Sequence, residues 1–366
     1  MVWYVAAKNE EKSVLCGQEP THAHSRTITI MILRRSEYLS RLPWFAGLRL
    51  PMFGSPMFIV SSKELVAEQC KAGIVGTLPA LNARPAEELD VWLSHIDAER
   101  ERWDANPDKP WPAAPYAVNL MTHPSNVRFE ADLKTIVKHR VPLVISSLSH
   151  PARVVEAVHA YGGVVFHDVS NMRFAHKALE AGVDGLVLVC AGAGGHTGQL
   201  NPMAFVAEVR AIFDGPIAVA GGITNGRQLL AVQAMGADIA YVGTRFIPSA
   251  EANAPDAYKH MVLASGIDDI TCTNAVTGLY ANYLTKSFEA LGIDPSTLAV
   301  RSKSSFNLGG GDTTQVKAWK DVWSAGHGVG ASTQIETARA IVDRFAHEYE
   351  EARLQFMEFL QPAALV

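Results

Sequence analysis

Cysteine is scarce: four residues in 366, at Cys16, Cys70, Cys190 and Cys272. They lie too far apart for a disulfide scaffold and show no metal-ligand spacing, so no metal is expected and the thiols are expected to fill core in a reduced, cytoplasmic protein. Charge of one sign is also lacking, with 32 basic against 37 acidic residues and a formal net charge of −5. No block of like charge occurs, which excludes nucleic acid as an expected partner. No apolar run of about 18 residues is present, so no transmembrane helix is expected and a membrane is not an expected partner. Ile28 to Leu33 is too short for a signal-peptide core and no small-residue cleavage site follows. No GxxxxGK[ST] phosphate loop occurs.

What the chain does have is apolar content, 48%, and enough length for two ordinary domains or for one large α/β barrel with an insertion. From Leu48 onward short β-branched runs alternate with amphipathic stretches of helical length. Strands are predicted at Leu50–Met52, Ile74–Leu78, Tyr116–Leu120, Leu143–Ser147, Val164–Asp168, Gly185–Val189, Ile217–Ala220 and Ile239–Gly243. Helices are predicted at Ser62–Lys71, Ala86–Arg102, Arg128–His139, Ala152–Tyr161, Met172–Ala181, Pro202–Phe213 and Arg227–Met235. Pro202 and Asn225 mark starts, and Gly73, Gly182 and Gly236 mark ends. Eight βα units with strands apolar on both faces fit a closed (β/α)8 TIM barrel better than an open doubly wound sheet.

Residues 1–30 are expected to be a poorly ordered extension, with Met31 reading as a natural beginning; His22 and His24 lack further ligands for a metal. The barrel is placed at 31–249. Residues 250–320, helix-prone and carrying the cluster Gly309-Gly310-Gly311-Asp312, are expected to form a helical cap after strand 8 that contacts substrate. Leu279, Tyr280 and Tyr283 are weighed there as pocket or core. The final segment, 321–366, holds the amphipathic stretch Gln334–Phe359 returning to the barrel.

In such a barrel the C-terminal strand ends face the active site. In chain order they present Gly54-Ser55-Pro56-Met57, Gly76-Thr77, Asn119, Ser146-Ser147, His167-Asp168, the loop Gly192 to Gly198, Ala220-Gly221-Gly222 and Gly243-Thr244-Arg245. Bare glycine amides after strands seven and eight sit where barrels grip phosphate, and the Thr244 hydroxyl adds a donor. Tight turns would explain either glycine pair alone; both at these two ends point to a phosphate-bearing cofactor. The glycines at 192, 194 and 198 do not open a helix, which argues against a dinucleotide fingerprint. His196, among glycines that allow close approach, is suited to take a proton or to hold an anion. The competing reading is a loop histidine bonded to a carbonyl. His167, inside a strand-end run, reads as a polar contact or a satisfied core histidine. No Ser-His-Asp order and no paired carboxylates support hydrolysis.

The stretch Asn171–Ser249, with Ala181-Gly182-Val183-Asp184-Gly185, AGGHTG at 193–198, AVAGGI at 218–223 and GADIAYVGTRF at 236–246, closely resembles the nitronate monooxygenase family, formerly 2-nitropropane dioxygenase. The family includes flavin-dependent enoyl reductases and quinone reductases. The resemblance implies non-covalent FMN, His196 as catalytic base, and a phosphate grip at Gly221, Gly222, Gly243 and Thr244. Ring contacts map onto Gly54, Ser55, Pro56, Met57 and Asn119, with Val189 and Gly194 in the loop strand and loop. Where the family often has Gln followed by Gly-x-Glu, this chain has Val189, Cys190, Ala191 and Gly192, so one flavin contact is lost. The implied reaction is oxidation of a nitronate or nitroalkane by dioxygen to a carbonyl compound and nitrite. The alternative is NAD(P)H:quinone or enoyl-thioester reduction on the same fold; a barrel without flavin that binds a phosphate ligand is a third reading. Oligomerisation is compatible with all three.

Overall fold

The computed structural model describes Leu42, residues 44–298 and residues 320–360. The expectations for residues 1–30, for the chain start at Met31 and for the Gly309–Asp312 cluster lie outside the described residues.

Eight parallel strands form one sheet: β1 (Met52–Gly54), β2 (Gly76–Pro79), β3 (Tyr116–Met121), β4 (Leu143–Ser147), β5 (Val164–Val169), β6 (Gly185–Val189), β8 (Ile217–Ala220) and β9 (Ile239–Val242). The order β1-β9-β8-β6-β5-β4-β3-β2 closes on itself through a parallel Phe53–Val75 bridge, with Gly54 N donating to Val75 O at 2.8 Å. The result is the TIM barrel expected. Six of the eight strands start where predicted and end within a residue of the prediction. β1 starts two residues later than predicted. Pro51 has no N–H to donate and enters the ladder only as an acceptor, from Ala240 N at 3.0 Å.

Side-chain alternation divides the interior in two. Phe53, Val75, Ala117, Leu143, Ile145, Phe166, Val187, Ala218, Ala220, Ile239 and Tyr241 fill the inside of the barrel. Residues of opposite parity, such as Met52, Leu78, Val118, Val144, Val165, Leu186 and Val219, pack against the helices. Trp44 plugs the bottom, its ring 6.1 Å from that of Phe53.

The outer helices are α1 (Lys63–Lys71), α2 (Glu88–Ala105), α3 (Phe129–Lys138), α4 (Ala152–His159), α5 (Met172–Glu180), α6 (Pro202–Arg210) and α7 (Gly226–Ala234). Ser62, Asn171, Asn201 and Asn225 cap α1, α5, α6 and α7 by accepting from Leu65, Phe174, Met203 and Gln228 amides. Gly73, Gly182 and Gly236 take the left-handed conformation just past helix ends, as their spacing predicted.

The segment after β9 departs from expectation. It contains α8 (Asp256–Leu263), but then an antiparallel pair, β10 (Ile270–Thr273) and β11 (Ala281–Leu284), before a short α9 (Thr285–Glu289). The cap is therefore mixed rather than helical. β11 is buried on both faces, so its Ala-Asn-Tyr-Leu run shows no alternation from which a strand could be read. The long helix α10 (Ala338–Leu360) returns to the barrel against α7, where Gly226 N donates to Glu348 Oε2 at 2.9 Å.

Candidate active site

Solvent reaches the otherwise buried strands at their C-terminal ends, where Asn119, Ser147, Asp168 and Val189 are half-buried. These residues share the parity of Ala117, Ile145, Phe166 and Val187, so they face the barrel axis and line its upper mouth. Asn119 Nδ2 donates to Ile145 O at 3.0 Å, which fixes its amide across β3 and β4.

Five loops meet around this mouth at contact distance. A methyl at Gly243 would stand 3.3 Å from Ser55 Cβ and 3.6 Å from Met57 Sδ, so the ends of β9 and β1 touch. Met57 is itself held: its N–H donates to Ser61 Oγ at 2.9 Å and its carbonyl accepts from Asn82 Nδ2 at 2.9 Å. Pro56, between Ser55 and Met57, is half-buried. A methyl at Gly194 would lie 2.7 Å from Gly326 N and 3.2 Å from Thr244 Oγ1, and one at Gly221 would lie 2.8 Å from Ala191 O. Thus Ser55, Met57, Gly194, Gly221, Gly243 and Thr244 are brought together as the sequence suggested. Gly54 is not part of that surface. Its missing side chain faces α1, where a methyl would strike Gln69 Nε2 at 2.4 Å, so it makes room for a glutamine and not for a ligand.

No turn, loop or cap hydrogen bond among the described residues is donated by the Gly221, Gly222, Gly243 or Thr244 amide. Gly222 has left-handed φ of 70° and no heavy atom near the place a Cβ would occupy. Arg245, the adjacent cation, is turned away: it is buried, bonded to Ser332 Oγ at 3.0 Å and paired with Glu336 at 3.3 Å.

His196 sits in a place the sequence did not reveal. With Gly195 it forms a two-residue strand, β7, paired antiparallel with β11, so the glycine loop is an edge of the cap sheet. Asn282 of β11 donates to Ala193 O at 2.7 Å, Thr197 N donates to Tyr280 O at 3.0 Å, and Thr277 Oγ1 lies 3.2 Å from His196 Nε2. Burial pushes the imidazole down to about 4, which keeps it neutral at physiological pH. His167 is the satisfied core histidine: its Nδ1 is 2.8 Å from Ser146 Oγ on the helix-facing side of the strands, and burial holds it at about 4. Of the three cap residues weighed, Tyr283 is buried core, Tyr280 is partly exposed and Leu279 binds Thr277 through its backbone.

The stretch Ser324–Gly330 was missed by sequence reasoning. It straps the mouth between the cap and the loops after β6, β8 and β9. Gly326 N donates to Thr244 Oγ1 at 2.9 Å, and His327 N donates to Gly192 O at 3.0 Å. Tyr258 bonds the Ser324 carbonyl, and its ring stacks on Trp323 at 5.0 Å. The signal that could have found it is the spacing Gly326-x-Gly328-x-Gly330, a glycine repeat far from any predicted strand. Among the described residues no group of His, Cys, Asp or Glu could hold a metal ion, and no helix is long and apolar enough to cross a membrane.

A profile of the nitronate monooxygenase family matches residues 40–348. Among curated proteins, (3aS,4S,5R,7aS)-5-hydroxy-7a-methyl-1-oxo-octahydro-1H-indene-4-carboxyl-CoA dehydrogenase of Rhodococcus jostii is 28% identical over 64% of this chain and 62% of its own length. A nitronate monooxygenase of Paraburkholderia phytofirmans is 28% identical over 68% of this chain and 77% of its own. The chain thus spans less than two thirds of the first relative and about three quarters of the second. In fold it is similar to nitroalkane oxidase of Streptomyces ansochromogenes, with TM-score 0.68, 22% identity and coverage of 85% of this chain and 99% of that one. It is also similar to FabK from Thermotoga maritima, with TM-score 0.67, 20% identity and coverage of 86% and 96%. With the profile covering most of its length, the chain belongs to the nitronate monooxygenase family of flavin-dependent oxidoreductases.

Proposed function

We propose that the flavin is FMN and that the protein oxidises alkyl nitronates, and nitroalkanes after deprotonation, with dioxygen to a carbonyl compound and nitrite. The observation that carries this reading is the convergence on one mouth of unengaged glycine amides after β8 and β9 and the neutral imidazole of His196. The residues fit the cofactor. Gly221, Gly222, Gly243 and Thr244 offer donors and an open side to a phosphate. Ser55, Pro56, Met57, Asn119, Val189 and Gly194 would surround a flat ring at this mouth, and Thr77, Asp168 and Tyr241 carry buried polar atoms without a hydrogen-bond partner on strands of the same barrel.

When bound, the flavin supplies the electron acceptor that substrate oxidation requires. The chain's own residues bind, orient and move the proton. His196, uncharged and fixed by Thr277, has a lone pair for the α-proton of a neutral nitroalkane; protonated, it pairs with an anionic nitronate. The cap sheet and the Ser324–Gly330 strap close two sides of the mouth and limit water there.

His196→Ala is expected to slow turnover of neutral nitroalkanes by roughly 10²–10⁴-fold, with a smaller loss on pre-formed nitronates. Equal losses on both would remove the base role. A second reading draws on the Rhodococcus relative, named for a CoA thioester substrate: FMN-dependent reduction of a quinone or an enoyl thioester by NAD(P)H. Anaerobic mixing decides between the two. Rapid flavin bleaching by a nitronate supports the first reading, and bleaching by NADH or NADPH supports the second.

A further inference from the structure

Below the mouth the barrel interior is apolar, filled by the rings of Phe53, Phe166 and Tyr241, with centroids 5.8 Å apart for Phe53–Phe166 and 6.5 Å for Phe53–Tyr241. Three polar atoms interrupt it, each buried and each without a hydrogen-bond partner: Thr77 Oγ1 on β2, Asp168 Oδ1 on β5 and Tyr241 OH on β9. All three side chains share the inward parity of their strands. A buried polar atom left unsatisfied costs about 1–3 kcal/mol, and more where the group is charged. Asp168 carries the largest such cost, because no cation and no donor meets its carboxyl, and burial alone pushes it up to about 7. Packing gives no reason to turn three orphaned groups from three strands toward one barrel axis; a polar ligand seated over them does.

Building on the FMN reading, we propose that Asp168 is a flavin-binding residue whose protonated carboxyl donates a hydrogen bond to the polar edge of the isoalloxazine, with Tyr241 and Thr77 completing the floor under the ring. A protonated carboxyl can donate to a ring carbonyl or to N1 or N5, where a carboxylate would set lone pairs against lone pairs; a carboxylate accepting from the ring N3–H instead would not weaken binding as pH rises, and that result overturns the proposal. Val189, an apolar side chain in the adjacent strand, offers the ring no such bond. Asp168 supplies it from the neighbouring β5.

The sign of the pH dependence follows. If the acid form binds, FMN affinity is full below the free protein's pKa of about 7 and weakens by up to tenfold per pH unit above it. Few other groups titrate against it. Among the described residues facing the same mouth, His196 is held at about 4 and Tyr241 well above its ordinary value. Neighbouring strands bring Thr77, Asn119, Ser147 and Val189, which do not titrate. His167 faces the opposite way, toward Ser146.

The test is FMN binding by the apoprotein, followed by fluorescence quenching from about pH 6 to about pH 8, in wild type and in Asp168→Asn. The asparagine keeps a donor but cannot ionise, and the ionisation of FMN's own phosphate cancels in the ratio of the two dissociation constants. That ratio is expected to stay flat below about pH 7 and to rise toward tenfold by about pH 8. Asp168→Ala is expected to weaken binding about tenfold even at about pH 6. A ratio that does not change with pH, or an alanine variant that binds like wild type, overturns the proposal. Should the alanine variant not fold, the ratio for Asp168→Asn decides alone. A wild type that takes up no FMN at any pH would instead bring down the cofactor reading, and this proposal with it.

Discussion

Gly326→Ala perturbs the point where the strap and the histidine loop pack backbone to backbone. An added methyl would stand 2.4 Å from Gly192 O, 2.9 Å from Gly194 N and 3.3 Å from Ala193 C. None of these is the end of a flexible side chain, so one loop must retreat by close to an ångström. Overpacking of this kind costs about 1–3 kcal/mol. Retreat also strains two hydrogen bonds, Gly326 N to Thr244 Oγ1 and His327 N to Gly192 O, each contributing about 0.5–1.5 kcal/mol. The sum is about 2–6 kcal/mol, or a fall in Tm of about 4–12 °C at roughly 2 °C per kcal/mol for a large chain. Gly330→Ala is the matched control, since its methyl would meet Gly266 Cα at an ordinary 3.6 Å. Thermal unfolding followed by circular dichroism, with FMN uptake in parallel, compares the two. Gly326→Ala should lose both stability and flavin while Gly330→Ala keeps both. Equal behaviour of the pair would refute the packing of strap on loop.

Other outcomes follow from the same contacts. Asn282→Leu removes the donor to Ala193 O and leaves a buried carbonyl unsatisfied, so urea unfolding should show a loss of about 1–3 kcal/mol; an unchanged midpoint would mean that β11 does not hold the histidine loop. Gly226→Ala places a methyl 2.1 Å from Tyr349 N and 2.3 Å from Phe345 O, so α10 must lift from α7. Limited proteolysis should then cut α10 sooner than in wild type, and unaltered resistance would contradict that docking. His167 and His196 are both held at about 4, below the ordinary 6.5, so the folded apoprotein binds fewer protons than the unfolded chain between those values. Stability present above pH 6.5 is therefore lost as pH falls toward 4. His167→Asn should lower the slope of stability against pH by about one proton in that window, and an unchanged slope would place the titration elsewhere.

The barrel was legible because its signals are local. Strands such as Gly185–Val189 and Ile217–Ala220 are unbroken apolar runs, and Asn171, Asn201 and Asn225 announce their helices by a side chain bonded two or three residues on. The positions of Gly221, Gly222, Gly243 and Thr244 just past β8 and β9 were legible because strand ends can be read off once strands are known. Gly54 was misassigned for the same reason that β1 was shifted: a three-residue strand beginning after Pro51 gives too few residues to set its parity. The cap and strap were hidden because they depend on pairing at a distance. Nothing in Gly195-His196 foretells an antiparallel partner at Ala281-Asn282. Likewise, nothing around Gly326 marks Thr244 as its acceptor, 82 residues away. Asp168 appeared in the strand-end inventory, but only its lack of partners in three dimensions separates it from an ordinary surface carboxylate.

The most direct measurement is FMN uptake by the purified apoprotein, wild type beside Gly222→Asp, read as visible flavin absorbance that stays with the protein through gel filtration. No heavy atom lies where a Gly222 Cβ would go, but its φ of 70° strains any side chain, so Gly222→Asn, equally strained and uncharged, is the control that leaves only the aspartate's negative charge where the phosphate would lie. Stoichiometric uptake by wild type and its loss in a folded Gly222→Asp variant but not in Gly222→Asn is the expected result. A wild type that remains colourless, or an aspartate variant that retains FMN equally well, would contradict the anion grip on which the function rests.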